Sequence, residues 1–272
     1  MGLVRYSPLG VFDSHCHLTD VANPEHALDC ARSHGVRSLL DCGYDVHSNQ
    51  AVCELHRRYP GVPFAIGLHP WHADQDLAVV LRQIEMARPA AVGEIGLDLW
   101  GSEPVHPLAR QVEVLEAQLQ MADRLSLPVS LHSRKAVGQL LAVLRNHPRV
   151  TGALHAYSGS LEQARPFLEL GYLVGVGGSV TRSGARRIRR SARDLPLECL
   201  LLETDAPAIG MDIVEPPDVR PQHVCRVAAV LAELRGLDVA EVEAVTDANA
   251  MRLFGSEVAA ALGGDAGTMP HG

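Results

Sequence analysis

Along this chain, short apolar or β-branched runs alternate with longer stretches in which apolar residues recur every three or four positions. Runs of the first kind occupy residues 11–17, 38–43, 63–69, 90–98, 128–132, 152–158, 173–179 and 200–205, which makes eight candidate strands. The stretches between them are amphipathic. The clearest sets Leu108, Val112, Leu115, Leu119 and Ala122 on one face of a helix, an apolar stripe that should pack on the outside of a sheet. Gly35, Pro148 and Gly171 punctuate helix ends ahead of the next strand. This alternation predicts repeated βα units and a parallel sheet. A last helical stretch, 239–253, has no strand after it and is expected to cap the sheet as a C-terminal helix. The Gly-rich tail 263–272 is expected to be disordered, and with no interdomain linker in view residues 1–262 read as one domain.

Eight βα units fit either a closed (β/α)8 TIM barrel, an α/β fold, or an open doubly wound sheet. The polar residues at the strand ends separate the two. His15 and His17, then His69, Glu94, His132, His155 and Asp205, stand at or near the ends of successive strands. A closed barrel brings such positions together on one face, where active sites of this fold sit, whereas an open sheet spreads them along an edge. Convergence favours the barrel.

Composition narrows the class. The 272 residues are 47% hydrophobic and 21% charged, enough for one large core. No apolar run is long enough to cross a membrane, and no secretory leader pattern opens the chain, so a cytoplasmic location is expected. Cys16, Cys30, Cys42, Cys53, Cys199 and Cys225 form no CxxC pair, which argues against a disulfide framework or a zinc-thiolate site. A net charge of −8 argues against a protein that coats nucleic acid through its overall field. It leaves room for a local basic site.

The candidate chemistry begins at Asp13-Ser14-His15-Cys16-His17. Side chains two apart on a strand point the same way, so the two imidazoles can bind one cation. Glu94 lies in Val92-Gly93-Glu94-Ile95-Gly96-Leu97-Asp98, where glycines leave room around a carboxylate that has two oxygens and can bridge two cations. His132 and His155 each follow an apolar strand and suit a second cation. Asp205 ends the apolar run that begins at Leu200, and a buried acid there needs a partner; it can serve both as ligand and as proton acceptor. A mixed His and carboxylate set accepts Zn, Mn, Co or Mg.

These motifs resemble those of the TatD-like metal-dependent hydrolases, within the wider amidohydrolase type of barrel. The ordered series runs through DSHCHL at His15, GLHP at His69, VGEIGLD at Glu94, LPVSLHSR at His132, HAYSGS at His155, GVGGS at Gly177, LLETDAP at Asp205 and TDANAMRLFG at Asn249. The resemblance spans nearly the whole chain. It implies a two-metal phosphodiesterase, a deoxyribonuclease or exonuclease acting on DNA ends through a metal-bound hydroxide. Carried over by motif, His15, His17 and Asp205 hold one divalent metal ion, His132 and His155 the other, and Glu94 bridges them. Glu94 and Asp205 are then the catalytic carboxylates, with His69 and Arg134 as candidates for gripping the substrate phosphate. The expected partner is DNA or another phosphodiester, with neither a membrane nor an obligatory protein partner.

Two departures bear on the substrate. Where many members have a basic residue followed by Asn-x-Pro, this chain reads Glu215-Pro216-Pro217-Asp218-Val219-Arg220-Pro221. Where many have two tyrosines after the GEIGLD motif, it has Leu99 and Trp100, and Trp100 can stack on a base or pack on its own loop. Arg182, Arg186, Arg187, Arg189, Arg190 and Arg193 fall within twelve positions. Arg186, Arg189, Arg190 and Arg193 are expected on one helical face, which either touches phosphates or is simply solvated. Two other readings compete: an esterase or amidohydrolase at the same site, for instance on an aminoacyl ester of tRNA, and an inactive barrel that binds through the arginines. The intact ligand set disfavours the latter.

Overall fold

The computed structural model describes residues 10–262. The expected tail at 263–272 lies outside the described residues. Eight strands run in the order β1 to β8, each parallel to the next: β1 (Val11–Cys16), β2 (Val36–Cys42), β3 (Phe64–Ile66), β4 (Ala91–Asp98), β5 (Val129–Arg134), β6 (Gly152–Leu154), β7 (Leu173–Val176) and β8 (Leu200–Leu202). Helices follow them in turn: α1 (Pro24–Ser33), α2 (Val46–Arg58), α3 (Leu77–Ala87), α4 (Leu108–Leu125), α5 (Val137–Leu144), α6 (Leu161–Glu169), α7 (Arg186–Asp194) and α8 (Val224–Arg235). The fold is a (β/α)8 barrel.

β3, β6, β7 and β8 are shorter than the apolar runs suggested, because their last residues leave the ladder to build the rim. The β1–β8 seam shows why. Asp205 N donates to His15 O at 2.9 Å, and His17 N to Ala206 O at 2.7 Å. Beneath them the fully buried Asp13 carboxylate accepts from Thr204 N at 2.9 Å and from Thr204 Oγ1 at 2.6 Å. A side chain thus stands in for the ladder at the closure and gives the buried Thr204 donors their acceptor.

Outside the sheet, Leu115, Leu119 and Ala122 of α4 are fully buried, with Leu108 and Val112 packed beside them, as their spacing predicted. Inside, Phe12, Leu40, Ala65, Ala91, Ala153, Leu173 and Leu201 make an apolar floor near the strand starts. Helix α9 (Val239–Phe254) and α10 (Ser256–Ala261) close that floor from below through Ala250, Phe254 and Val258. α9 also satisfies strand ends: Asp247 accepts from Phe12 N at 3.0 Å, and Asn249 donates to Leu197 O and Leu200 O. The C-terminal helix therefore caps the face opposite the polar rim.

Candidate metal centre

The closed barrel brings together six of the predicted residues around Glu94, which is 4% exposed. On one side of its carboxylate, Oε2 lies 3.5 Å from His15 Nε2 and 3.3 Å from His17 Nε2. Asp205 Oδ1 completes this group, 3.7 Å from His15 Nε2 and 3.2 Å from His17 Nε2. On the other side, Oε1 lies 3.0 Å from His132 Nδ1, 2.9 Å from His155 Nε2 and 3.4 Å from His69 Nε2.

The donor spacings fit cations. Four ligands held about 2.1 Å from a tetrahedral ion stand roughly 3.4 Å from one another, and the first group spans 3.2 to 3.7 Å. Hydrogen bonds would be shorter. His15 Nε2 and Asp205 Oδ1 are buried and have no hydrogen-bond partner, although each faces the other, which is what a shared cation would resolve.

Neighbours set which ring nitrogen faces inward. His17 Nδ1 lies 2.8 Å from the carbonyl of Cys42, which can only accept, so Nδ1 carries a hydrogen and Nε2 is the nitrogen turned to the site, a ligand once its own proton is displaced. His15 Nδ1 has Ser130 Oγ at 2.8 Å in the equivalent place. His132 is turned the other way: Nε2 meets Asp98 Oδ2 at 3.0 Å, leaving Nδ1 toward Glu94 and His155 Nε2, the latter 3.3 Å away. Asp98 is itself braced by Trp100 N and Trp71 Nε1, both at 2.8 Å.

His69 differs. Its Nδ1 accepts from Trp71 N at 3.1 Å, so the neutral ring carries its hydrogen on Nε2, the atom facing Glu94. Although it lies in a cluster with Glu94 and His132 that is tight enough for an ion, the ring presents a donor rather than a lone pair. Burial pushes its pKa down to about 4, which keeps it neutral.

Charge is balanced within the cluster. Burial by itself would raise the Glu94 pKa, but His155, His69 and His132 around it reverse the sign and hold the carboxyl well below its usual range. Asp205 is likewise lowered, its burial outweighed by the adjacent His17 imidazole and the charge of His155. His155 is raised to about 9: burial opposes this, and the Glu94 carboxylate overcomes it. Protons on the imidazoles thus do what cations would do.

Three supporting groups carried no signal strong enough to be singled out from the sequence. Asp98, four residues beyond Glu94, sits on the same side of β4 and orients His132. Glu203, two before Asp205, places Oε1 4.0 Å from His155 Nδ1 and accepts from Ala156 N; burial raises its pKa to about 8. Gly175 makes room for it, since a Cβ there would overlap its carboxylate. Gln111 and Gln118 of α4 brace the strand ends, exchanging hydrogen bonds with the backbone of Asp98 and Leu68. Same-face spacing points to Asp98 and Glu203, but only contact distances separate them from ordinary buried acids.

Arg134 closes β5 at the rim, its guanidinium carbon 4.2 Å from the centroid of the Trp100 ring. Trp100 is 54% exposed and Trp71 46% exposed. The arginine group of α7 does not form the single face expected. Arg189 donates to Val180 O, and Arg190 and Arg193 meet Asp194, while Arg182 bonds Glu215 in the segment that departs from the family motif.

A barrel whose strand ends gather histidines and carboxylates at cation spacing defines a metal-dependent hydrolase of the barrel type. The chain belongs to the TatD-related DNase family, whose model matches residues 12–255. It is 39% identical over 253 residues to the metal-dependent hydrolase YjjV of Escherichia coli, covering 89% of this chain and 96% of that protein. The crystal structure of the E. coli YjjV protein superposes with a TM-score of 0.83 at 37% identity, covering 90% of this chain and 97% of that one. A Cronobacter sakazakii relative named 3′-5′ ssDNA/RNA exonuclease TatD is 35% identical over 236 residues, covering 82% of this chain and 89% of its own. Among the described residues no helix is long and apolar enough to cross a membrane.

Proposed function

We propose that the protein hydrolyses phosphodiester bonds at the ends of nucleic-acid strands, with two divalent cations seated on either side of Glu94. The observation that carries this reading is the division of donors between the two Glu94 oxygens: His15, His17 and Asp205 beside Oε2, His132 and His155 beside Oε1. Relatives named as deoxyribonuclease and exonuclease support the choice of substrate. Cations bound there would supply Lewis acidity and lower the pKa of water for attack on phosphorus. The residues do the rest. Glu94 would hold both cations, the Asp205 carboxylate would take the proton from the attacking water on the oxygen not turned to a cation, and His69 Nε2–H donates to a phosphate oxygen. Arg134, its guanidinium carbon over the Trp100 ring, is held at the rim to donate to the same phosphate.

The direct test is hydrolysis of a single-stranded oligonucleotide and of bis(p-nitrophenyl) phosphate by chelator-stripped protein, with Mg, Mn, Co or Zn restored singly. Cleavage should vanish on stripping and return with the working cation. Undiminished cleavage by metal-free protein overturns the mechanism. If metal binds and carboxylic esters are cut while both phosphodiesters are left intact, the esterase reading replaces this one.

Two further outcomes separate roles. His69→Ala should lower kcat about 10²-fold, the usual loss for one oriented donor, without changing bound metal, and His69→Gln, which keeps an N–H, should recover part of it. Metal loss in His69→Ala would make His69 a ligand instead. Because cations must displace protons from His17, His132 and His155, whose pKa values lie above the ordinary imidazole range, loading should release protons at neutral pH. Affinity should rise with pH toward about 9, as read by calorimetry in buffers of different ionisation enthalpy.

A further inference from the structure

A second polar feature lies on the same rim, away from the cluster. A cavity of 250 Å³ opens between the first turns of α6 and α7, lined by Ser160, Glu162, Arg186, Arg187, Arg190 and Ser191 among others. Three arginines and one glutamate border it, and Arg190 also pairs with Asp194. Arg186 and Arg187 are exposed and have no ion-pair or hydrogen-bond partner among the described residues.

The local chemistry of α7 runs against helix rules. The N-terminal end of a helix carries partial positive charge and unsatisfied N–H groups, so it favours acids and a side-chain cap. α7 has no cap from Ala185 and no acid in its first turn, and it places Arg186 and Arg187 there instead. Arg186 and Arg190, four apart on α7, are like charges at a spacing that destabilises an isolated helix. Such a conflict between local preference and fold marks a site where something else supplies the missing charge, and an anion would satisfy the arginines at this helix end.

The cavity is rigidly tied to the metal centre. α6 and α7 both begin at the C-terminal ends of their strands, the face that bears Glu94. Ser191 Oγ donates to Gly159 O at 2.9 Å and Tyr157 OH to Ser160 O at 2.7 Å, fixing α7 against the loop that starts at His155. Ser160 lies five positions beyond His155, a span of at most about 18 Å even if fully extended.

Resting on the phosphodiesterase reading above, we propose that this cavity is a phosphate subsite that holds the backbone of a nucleic-acid strand a few nucleotides from the bond being cut. The preferred substrate is then a polymer rather than a small diester. Glu162, which shares the lining, limits the charge so that the subsite holds one phosphate without trapping product.

The test is the double variant Arg186→Gln/Arg187→Gln, both exposed and outside the metal centre. In wild type, kcat/KM should climb as thymidine oligomers lengthen from two to twelve nucleotides. The variant should lose about tenfold on the twelve-nucleotide oligomer and nothing on bis(p-nitrophenyl) phosphate. Binding of an uncleaved twelve-nucleotide phosphorothioate, followed by fluorescence anisotropy, should show a salt dependence shallower by about 0.7 in log–log slope, as for one lost contact on a single strand. Equal cleavage and equal salt slopes in variant and wild type overturn the subsite, as does an equal loss on the small diester. Failure of the phosphodiesterase reading looks different: wild type cuts neither substrate with any cation. Anisotropy then still decides whether the arginines hold the strand.

Discussion

Glu94→Gln is expected to lower kcat/KM on a phosphodiester by about 10³-fold or more, equivalent to roughly 4 kcal/mol of transition-state stabilisation, and to reduce bound metal by more than half. The substitution changes one oxygen to an amide and removes one charge, yet both oxygens are in use. Oε2 stands within 3.5 Å of His15 and His17, and Oε1 within 3.4 Å of His69, His132 and His155. An amide offers an acceptor to one side only and presents N–H groups to the other, so it cannot bridge. Metal content by plasma emission and rates at saturating cation should fall together, with the circular dichroism spectrum retained. A fully loaded variant with more than a tenth of wild-type activity would remove Glu94 from the bridging role.

Asp13→Ala should act on the fold instead. Asp13 touches no candidate ligand side chain; its carboxylate accepts from His15 N, Thr204 N and Thr204 Oγ1, joining the first strand to the last across 191 residues. Truncation leaves three buried donors without acceptors at the barrel seam, a loss of about 3 kcal/mol. For a chain of this size that is a fall of roughly 6–12 °C in Tm. Asp13→Asn keeps the shape and one acceptor oxygen, and Thr204 Oγ1 can rotate to accept, so a much smaller loss is expected. The pair also carries a pH signature. Burial raises the Asp13 pKa to about 7 against 3.8, its hydrogen bonds opposing, so between those values the folded state binds a proton that the unfolded chain does not. Stability from this group therefore falls as pH rises from about 4 through 7, and Asp13→Asn should flatten that part of the profile. An Asp13→Ala protein with wild-type Tm would show that the seam does not depend on this carboxylate.

The two variants mark a boundary that the DSHCHL motif conceals. Asp13 and His15 stand at alternate positions on β1, with His17 just past its end, and the three read as one chemical unit, but Asp13 closes the barrel while the histidines face Glu94 and Asp205. The arginines of α7 are the reverse case. Helical spacing grouped Arg189 with Arg186 and Arg190 on one face, whereas Arg189 turns to the carbonyl of Val180 and Arg187 lines the cavity in its place. A helical wheel places Cα positions, and a long flexible side chain chooses its partner from whatever the neighbouring elements leave unpaired.

What the sequence by itself determined was the series of eight strands, the helices between them, the helix that caps the barrel floor, and the chemical identity of the candidate ligands at the strand ends. These follow from local properties: the two-residue and 3.6-residue periods of burial, and side chains whose ligating chemistry does not depend on their neighbours. Tertiary structure alone decided which Glu94 oxygen faces which donor group, the ring nitrogen that each histidine presents, the support from Asp98 and Glu203, and the seam through Asp13. Each of these depends on contacts between residues far apart in the chain, at distances of 3 to 4 Å that only the register of a closed sheet sets. The same closure turns His69 into a donor, because the backbone N–H that fixes its ring belongs to a turn whose place is set by the strands on either side.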